Sequence, residues 1–317
     1  MLEINVLTST DKQYARHLGV MLNSLFTSSS IGTIFTITVL DGGISKKDIA
    51  RLTRMAEAHH ASIAFVAMDR YRYERYPLSN HIRQAAYYRI AMSEILDSSV
   101  RKVLYLDCDI IINDDITELW ETDFKGCAVA AVEEPHFNRH IDLHLPADAL
   151  YFNSGVMLVN LDRWREERIG DKAHDFIKLY PDVLMLHDQD ALNAVLYGKW
   201  LPLHPKWNLQ TNMFELRPLS SYSEQAVVEA VAHPAIIHFT TSSKPWHYTN
   251  EHMHRGEYFK YLCCTEWKPS FPKLHKCVRT VVRPILSVAY KTLDILKALH
   301  KRVMISKRNR SAAEDKE

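Results

Sequence analysis

An apolar run of strand-forming residues ends in two carboxylates, Asp107 and Asp109, within the segment VLYLDCD. Side chains along a strand alternate between its two faces, so both carboxylates are expected to point to the same side. Two neighbouring carboxylates repel each other unless a cation neutralises them, and Mg²⁺ and Mn²⁺ prefer oxygen ligands. Ligands of open α/β sheets bind beyond the carboxyl ends of the strands. The segment therefore predicts a metal site that could hold a phosphorylated substrate; the alternative is a solvated turn at a strand end.

A third metal ligand is expected from among the 17 histidines. His238 is the best placed of them, because it ends the short apolar run IIH. A histidine that is merely hydrogen-bonded at a strand edge is the alternative. Lys244 follows shortly afterwards and could neutralise a phosphate beside the metal, since charged donors bind phosphate oxygens strongly.

Two further segments could bind a hydroxylated ligand. In YFNSGV, an Asn-Ser-Gly turn is predicted in which Asn153 hydrogen-bonds a hydroxyl group and the glycine allows close backbone approach. A plain turn is the alternative. In HDQDA, the residues Asp188, Gln189 and Asp190 precede an apolar helix, where an acid could simply cap the helix. The other interpretation is a polar cluster that grips sugar hydroxyls beside a reactive carbon.

Strands and helices alternate through the first part of the chain. Strands are predicted over 3–8, 33–40, 62–67, from 103, and over 127–132, 155–161 and 235–239; helices are predicted over 11–25, 45–57, 81–96, 162–180 and 190–197. Ser45 and Asp48 resemble a capping box at the start of the second helix. This alternation predicts an α/β fold with a largely parallel sheet, followed by a less regular substrate-binding region. Because no G-x-G-x-x-G or P-loop motif is present, a metal is favoured as the means of holding a phosphorylated ligand.

Composition sets the class of protein. The 317 residues are 47% hydrophobic and 24% charged, which suffices for a sizeable core in one large or two small domains. The five cysteines include no Cys-x-x-Cys pair, which argues against a disulfide framework and indicates a reducing compartment. No signal peptide is expected, because no basic stretch with a following apolar core stands at the start. No run of about 18 apolar residues predicts a membrane-spanning helix.

The net charge of +1 hides a basic tail. Residues 273–317 contain twelve Lys or Arg against four Asp or Glu, so the rest of the chain is acidic. After Pro284, apolar residues recur every three or four positions beside Lys291, Lys297 and Lys301, as in a basic amphipathic helix. Such a helix is expected to bind an anionic membrane surface; a helix docked on its own domain is the alternative. Nucleic-acid binding is not expected, because the body is acidic and no known module is present.

The order of the motifs resembles that of glycosyltransferase family 8. The shared motifs are TDKQY at 10–14, YR at 88–89, DCD at 107–109, FNSGV at 152–156, DQD at 188–190 and the histidine and KPW between 238 and 246. The resemblance covers about residues 3 to 250 and is closest to bacterial lipopolysaccharide galactosyl- and glucosyltransferases. It implies a GT-A fold, a Rossmann-like, mixed but mostly parallel sheet flanked by helices. We expect this domain over residues 1–265 and the basic helical tail over 266–317.

The resemblance also implies an activity: a metal-dependent retaining transferase that moves galactose or glucose from UDP-galactose or UDP-glucose. Mn²⁺ (or Mg²⁺) would be bound by Asp107, Asp109 and His238. The implied donor-binding residues are Ser9, Asp11, Tyr14, Cys108, Thr241 and Lys244, and those at the reacting sugar are Arg89, Asn153, Asp188, Gln189 and Asp190. The metal and Lys244 would stabilise the departing UDP.

Retention at the anomeric carbon can be achieved in two ways. A carboxylate nucleophile can attack from the face opposite the leaving group, and Gln189 or Asp190 would be nearest for that role. The favoured alternative is a front-face substitution, in which a UDP oxygen helps to deprotonate the acceptor. One departure from the family is Thr241, which replaces a usual glycine although threonine adopts positive φ poorly. Glu133 stands where the family often has an acid near the acceptor.

The expected partners are the nucleotide-sugar donor, a saccharide or lipid-linked oligosaccharide acceptor, and the anionic membrane surface. We expect a cytoplasmic enzyme of lipopolysaccharide core synthesis, peripheral at the inner face of the cytoplasmic membrane. Three alternatives stay open. A self-glucosylating glycogen initiator shares the family, and a nucleotidyltransferase would need a Gly-rich basic N-terminal loop. A catalytically dead membrane scaffold is disfavoured because all three presumed metal ligands are present.

Overall fold

The structure, a computed structural model, describes residues 2–78, 83–214, 221–247 and 250–267. The described part belongs to one compact unit, Met1–Lys268. Glu266 and Trp267 still pack on this unit, since Trp267 is buried and donates a hydrogen bond to Asp48. The boundary expected between 265 and 266 stays a prediction, and the predicted tail helix lies outside the described residues. No helix among the described residues has the length and apolar character needed to cross a bilayer.

Ten strands form two sheets in the described part of the chain. They are β1 (Leu2–Thr10), β2 (Thr33–Asp41), β3 (Ser62–Ala67), β4 (Lys102–Leu106), β5 (Ile110–Ile112), β6 (Val129–Glu133), β7 (Phe152–Asn160), β8 (Trp200–Pro202), β9 (Leu209–Gln210) and β10 (Ile236–His238). The large sheet has the order β3-β2-β1-β4-β7-β6-β8, and the small sheet the order β5-β10-β9. Only β7 runs antiparallel to its neighbours in the large sheet, so the prediction of a mixed, mostly parallel α/β sheet is confirmed.

Helices cover both faces of the large sheet. The α-helices are α1 (Ala15–Ser28), α2 (Lys46–Ala58), α3 (Met92–Ile95), α4 (Thr117–Trp120), α5 (Leu161–Glu166), α6 (Ile169–Leu179), α7 (Asp188–Leu196), α8 (Glu224–Ala232) and α9 (Arg255–Cys263), and 3₁₀ turns span Arg70–Tyr73, Gln84–Ala91, Pro181–Val183, Pro205–Asn208 and Thr211–Phe214. Successive strand residues feed two separate cores, with Val6 and Leu104 on one face and Leu7 and Tyr105 on the other. All four side chains are almost completely buried, which is the main force holding these layers together.

Several predicted elements are confirmed with shifted ends, and the shifts have local causes. The predicted helix over 11–25 starts only at Ala15, after a turn at 12–14 in which the Asp11 carboxylate accepts hydrogen bonds from the backbone N–H groups of Gln13 and Tyr14. Ser45 caps α2 as the capping box predicted, since its hydroxyl accepts from the Asp48 N–H; in place of the reciprocal bond from the Ser45 N–H, the Asp48 carboxylate accepts from the Ser45 hydroxyl. The predicted helix over 81–96 is a 3₁₀ segment followed by the short α3.

Two predictions of secondary structure are wrong. The helix predicted over 162–180 is two helices, α5 and α6, separated at Arg168, whose φ of 53° is left-handed and interrupts the hydrogen-bond ladder. The turn predicted at Asn153–Gly155 is part of the long strand β7. Pairing with β4 on one side and β6 on the other overrides the local turn signal of Asn, Ser and Gly.

The topology brings the polar strand ends to one edge. The carboxyl ends of β1, β4 and β6 meet there, and the antiparallel β7 brings its beginning to the same edge. The small sheet adds the end of β10, because its pairing with β5 sets His238 opposite Ile110, directly after Asp109. This edge therefore carries both carboxylates and the histidine that the sequence singled out.

Candidate active site

A cavity of about 310 Å³ opens at this edge. Of the residues predicted for the site, those that line it are Ser9, Asp11, Tyr14, Arg89, Asp107, Cys108, Asp109, Asn153, Asp188, Gln189, His238, Thr241 and Lys244. Asp190 and Glu133 do not line it. Residues far apart in the sequence thus converge on one cavity, as expected for a binding site at the strand ends of an α/β sheet.

Asp107, Asp109 and His238 form a cluster whose potential ligand atoms all lie within 4.8 Å of one another. The expected reason for their convergence is wrong in detail. β4 ends at Leu106, so the two carboxylates lie in the short link to β5 and are not aligned by strand alternation. The pairing of β5 with β10 brings His238 beside them. Two carboxylates and one imidazole are a donor set that suits Mn²⁺.

Asp107 is held by two buried side chains. It accepts hydrogen bonds from the Arg89 Nη2 (2.9 Å) and the Tyr105 hydroxyl (2.9 Å). Arg89 also pairs through Nε with Asp188 Oδ2 at 3.0 Å, so one guanidinium links the metal cluster to the start of α7. Burial raises the pKa of Asp107, opposed mainly by Arg89, and raises the pKa of Asp188 to about 7 against the same opposition.

The pKa of Asp109 shifts in the opposite direction to that of Asp107. Its carboxylate accepts a hydrogen bond from Lys244 Nζ at 2.6 Å and lies 3.4 Å from His238 Nε2. Burial alone would raise the pKa of Asp109, but Lys244 and His238 outweigh it and lower the pKa strongly. Lys244 also donates to the Phe239 carbonyl. The lysine expected to face phosphate thus also neutralises Asp109, one of the predicted metal ligands.

Gly155 is required by the closeness of this packing. A Cβ atom at Gly155 would lie 2.2 Å from His238 Cε1 and 2.8 Å from Asp107 Oδ2, distances at which atoms overlap. The Gly155 carbonyl also accepts a hydrogen bond from the Asp107 N–H at 2.8 Å. Glycine is needed here for space between two cluster residues, and a turn conformation plays no part.

Residues at the end of β1 and in the turn that follows it also line the cavity. Asp11 lies in the turn before α1 and pairs with Arg83, whose guanidinium lies 5.8 Å from the centre of the Tyr14 ring. Ser9 shares a hydrogen bond of 2.8 Å with the Tyr105 hydroxyl, and the Cys108 thiol donates to the Ser9 carbonyl at 3.1 Å. This side of the cavity is therefore tied to the metal cluster through Tyr105 and Cys108.

The structure shows the backbone conformation of Thr241 and the hydrogen bonding of Gln189. Thr241 lines the cavity without the positive φ that a glycine at this position would suggest, so the backbone accommodates threonine without strain. The Gln189 Oε1 accepts a hydrogen bond from the Ser154 N–H at 3.0 Å. The oxygen of this neutral side chain is therefore already engaged by the backbone.

Asp190 serves the scaffold. Its buried carboxylate accepts hydrogen bonds from the Tyr151 hydroxyl (2.7 Å) and from the N–H groups of Met185 and Leu186 (2.7 and 2.8 Å). It therefore fixes the loop before α7 and does not face the cavity, so the structure gives no support to Asp190 as a nucleophile. Glu133 likewise accepts hydrogen bonds from the Ser221 N–H and does not line the cavity.

Several residues of the site were not predicted from the sequence, and Glu134, Asn212 and Asn208 are among them. Glu134, next to Glu133, lines the cavity and accepts hydrogen bonds from Asn153 and Asn212 at 2.8 Å each, and burial raises the pKa of Glu134. Its position after an apolar strand is the same signal that identified Asp107. Asn212 also lines the cavity, and Asn208 contacts His238 from behind. Both asparagines follow β8 in a region of short, irregular elements that offers no periodic signal.

A mixed sheet with an acidic pair and a histidine at its edge defines a GT-A type of glycosyltransferase fold. The model of glycosyl transferase family 8 matches residues 5–250, and the chain belongs to that family. It is 38% identical over 270 residues to general stress protein A of Bacillus subtilis, covering 83% of this chain and 94% of that protein. It is 25% identical over 252 residues to lipopolysaccharide 1,2-glucosyltransferase of Escherichia coli, covering 77% and 73%.

The fold has a close match among solved structures. The galactosyltransferase LgtC, solved with donor and acceptor sugar analogs, superposes with a TM-score of 0.76 at 24% identity, covering 84% of this chain and 98% of that one. The expected resemblance to family 8 and its lipopolysaccharide glycosyltransferases is thereby confirmed. The similarity to LgtC shows that the two proteins share the GT-A fold.

Proposed function

We propose that this chain is a retaining transferase that moves galactose or glucose from a UDP-sugar to a saccharide acceptor with the help of Mn²⁺ or Mg²⁺. The observation that carries the proposal is the cluster of Asp107, Asp109 and His238 at the floor of a cavity large enough for a ligand. Relatives named as a glucosyltransferase and a galactosyltransferase support both candidate sugars.

The metal would be held by Asp107, Asp109 and His238. When bound, it supplies Lewis-acid stabilisation of the charge that develops on the diphosphate. Lys244 lies at the same point and has a third N–H besides those given to Asp109 and Phe239, so its ammonium can donate to a phosphate oxygen. Ser9, Asp11, Tyr14, Cys108 and Thr241 would bind the uridine and diphosphate along the rest of the cavity.

Arg89, Asn153, Asp188 and Gln189 would hold the donor sugar, and we add Glu134 as an acid at the same end of the cavity. Among the residues that open α7, Asp188 is paired with Arg89, Gln189 is neutral with its oxygen engaged, and Asp190 lies outside the cavity. None of these three offers an unpaired carboxylate to the anomeric carbon. Glu134, the acid added at this end, has its carboxylate occupied by hydrogen bonds from Asn153 and Asn212. This arrangement favours front-face substitution over a carboxylate nucleophile.

Donor choice and stereochemistry test the proposal. The purified chain is incubated with Mn²⁺ and either UDP-galactose or UDP-glucose; UDP release identifies the donor, and proton NMR of the released or transferred sugar gives its anomeric configuration. We expect release from one of these donors and an α-configured product, as in the donor. Inversion, or release only from an unrelated nucleotide sugar, would contradict the proposed reaction.

We further propose that the acceptor is a lipid-linked saccharide, as in lipopolysaccharide core synthesis, and that the basic tail brings the cytoplasmic enzyme to the inner membrane face. The proposal depends on the sequence of residues 273–317, where basic residues flank a regular apolar pattern. A basic amphipathic segment binds anionic lipid through apolar burial and charge together.

Vesicle sedimentation tests the role of the tail. The full chain should bind phosphatidylglycerol vesicles at low salt and not pure phosphatidylcholine vesicles, because its attraction is electrostatic. Changing Lys291, Lys297 and Lys301 to glutamine, or deleting residues 273–317, should abolish this binding while UDP release persists. Binding that is unchanged in both variants would exclude the tail as the membrane contact.

A further inference from the structure

A row of buried amides connects His238, through Asn208, to Asn153 in the cavity wall. The His238 Nδ1 lies 2.9 Å from Asn208 Oδ1, and the Asn208 Nδ2 donates to Asn153 Oδ1 at 3.0 Å. The Asn153 Oδ1 also accepts a hydrogen bond from the Gly155 N–H at 3.0 Å. Asn208 is completely buried and does not line the cavity, so its contacts serve other protein groups.

The donor and the acceptor of each hydrogen bond in this row of amides can be assigned, starting from the backbone N–H of Gly155. The Gly155 N–H can only donate, so the Asn153 atom that faces it must be the amide oxygen. Because that oxygen also meets Asn208, the Asn208 atom there must be the amide nitrogen. The Asn208 oxygen then faces His238, which must donate from Nδ1. In the neutral imidazole, Nε2 is left without a proton, and it is the nitrogen directed at Asp109.

We propose that Asn208 is a positioning residue that holds His238 in the tautomer and ring orientation required for binding a divalent cation. The same asparagine ties His238 to Asn153, so the metal cluster and the sugar end of the cavity share one rigid support. Metal-binding histidines generally donate their second N–H to such a partner, and loss of the partner weakens metal affinity by about 10- to 100-fold. This inference rests on the proposed metal site.

The test compares Mn²⁺ affinity among variants of the full chain. Free Mn²⁺ is followed by electron paramagnetic resonance during a titration, once alone and once with saturating UDP. Asn208→Leu keeps the side-chain size but can neither accept nor donate, so we expect about 10- to 100-fold weaker Mn²⁺ binding. Asn208→Asp still accepts from the His238 Nδ1–H and, with its other oxygen protonated, can donate to Asn153 Oδ1 as the amide does, so we expect affinity close to that of the wild type.

Two controls separate positioning from general damage. Gln210→Leu removes a side chain that is equally buried on β9 and donates only to the Glu133 carbonyl, so its Mn²⁺ affinity should stay at the wild-type level. His238→Ala reports the affinity without the imidazole. Thermal unfolding of each variant checks that it is folded. If Asn208 had a purely structural role, Asn208→Asp would not restore Mn²⁺ affinity. Wild-type affinity in Asn208→Asp together with weak binding in Asn208→Leu therefore identifies a positioning role.

The outcomes distinguish this inference from the proposed function. If His238→Ala weakens Mn²⁺ binding and Asn208→Leu does not, the positioning role is wrong and the metal site stands. If Asn208→Asp binds as weakly as Asn208→Leu, acceptance of the Nδ1 proton is not what matters and the inference fails. If the wild-type chain binds no Mn²⁺ with or without UDP, the metal site and the inference fall together.

Discussion

Asp109→Asn should lower Mn²⁺-dependent UDP release by about 1,000-fold, because removal of one charged ligand costs several kcal/mol of metal and transition-state stabilisation, and each 1.4 kcal/mol is a factor of ten. Asparagine keeps the shape of the side chain but lacks the charge that balances a cation. The carboxylate also pairs with the buried ammonium of Lys244 at 2.6 Å. UDP release and thermal unfolding are therefore measured on the same variant.

A matched double variant separates the two consequences. In Asp109→Asn alone, Lys244 is left buried without its charged partner, which destabilises the fold by about 3–5 kcal/mol. The double variant Asp109→Asn with Lys244→Met removes both charges, so its stability should recover while Mn²⁺ binding stays lost; this binding is measured without UDP, so that the phosphate contact of Lys244 does not enter. Recovery of Mn²⁺ binding together with stability would show that Asp109 acts through folding and not as a metal ligand.

Gly155→Ala should also weaken the metal cluster, although it adds a single methyl group. That methyl would lie 2.2 Å from His238 Cε1 and 2.8 Å from Asp107 Oδ2, so the two presumed metal ligands must move apart. We expect Mn²⁺ affinity to fall about tenfold or more, as for loss of support to a metal ligand. Overpacking of this kind also destabilises by about 1–3 kcal/mol. Calorimetric titration with Mn²⁺ and UDP, beside thermal unfolding, measures both effects.

Gly256→Ala is the matched control. Gly256 lies in α9, and a Cβ atom there would meet no heavy atom within 4 Å. Alanine also favours a helix over glycine, so this variant should keep wild-type Mn²⁺ affinity and unchanged or slightly higher stability. If Gly155→Ala binds Mn²⁺ as tightly as Gly256→Ala, then His238 and Asp107 do not act as ligands of one ion.

Regular patterns in the sequence were sufficient to predict the main strands and helices of the fold. The apolar runs that became β1 to β4 and the capping box at Ser45 are local signals, and the structure contains these elements close to the predicted positions. The Asn153–Gly155 segment was misread as a turn because its strand conformation depends on pairing with both β4 and β6. The interruption at Arg168 was missed because the apolar periodicity continues on both sides of it.

The convergence of Asp107, Asp109 and His238 on one cavity was predictable, because carboxylates and a histidine at the ends of apolar runs are local signals. The site was not predictable where the role of a residue depends on its surroundings. Asp190 is a residue type that can take part in catalysis, but its carboxylate already accepts hydrogen bonds from two backbone N–H groups and the Tyr151 hydroxyl. Asn208 has no local signature, and its contact with His238 spans 30 residues of sequence.

Binding of UDP with and without Mn²⁺ tests the central claim most directly, because it requires no knowledge of the acceptor. Calorimetric titration of UDP into the wild-type chain is performed in Mn²⁺ and again in excess chelator, and repeated with Asp109→Asn. We expect UDP to bind about tenfold more tightly or better in Mn²⁺, and the gain to vanish in the variant. Equal affinity for UDP in Mn²⁺ and in chelator would contradict a metal site that holds the diphosphate in this cavity.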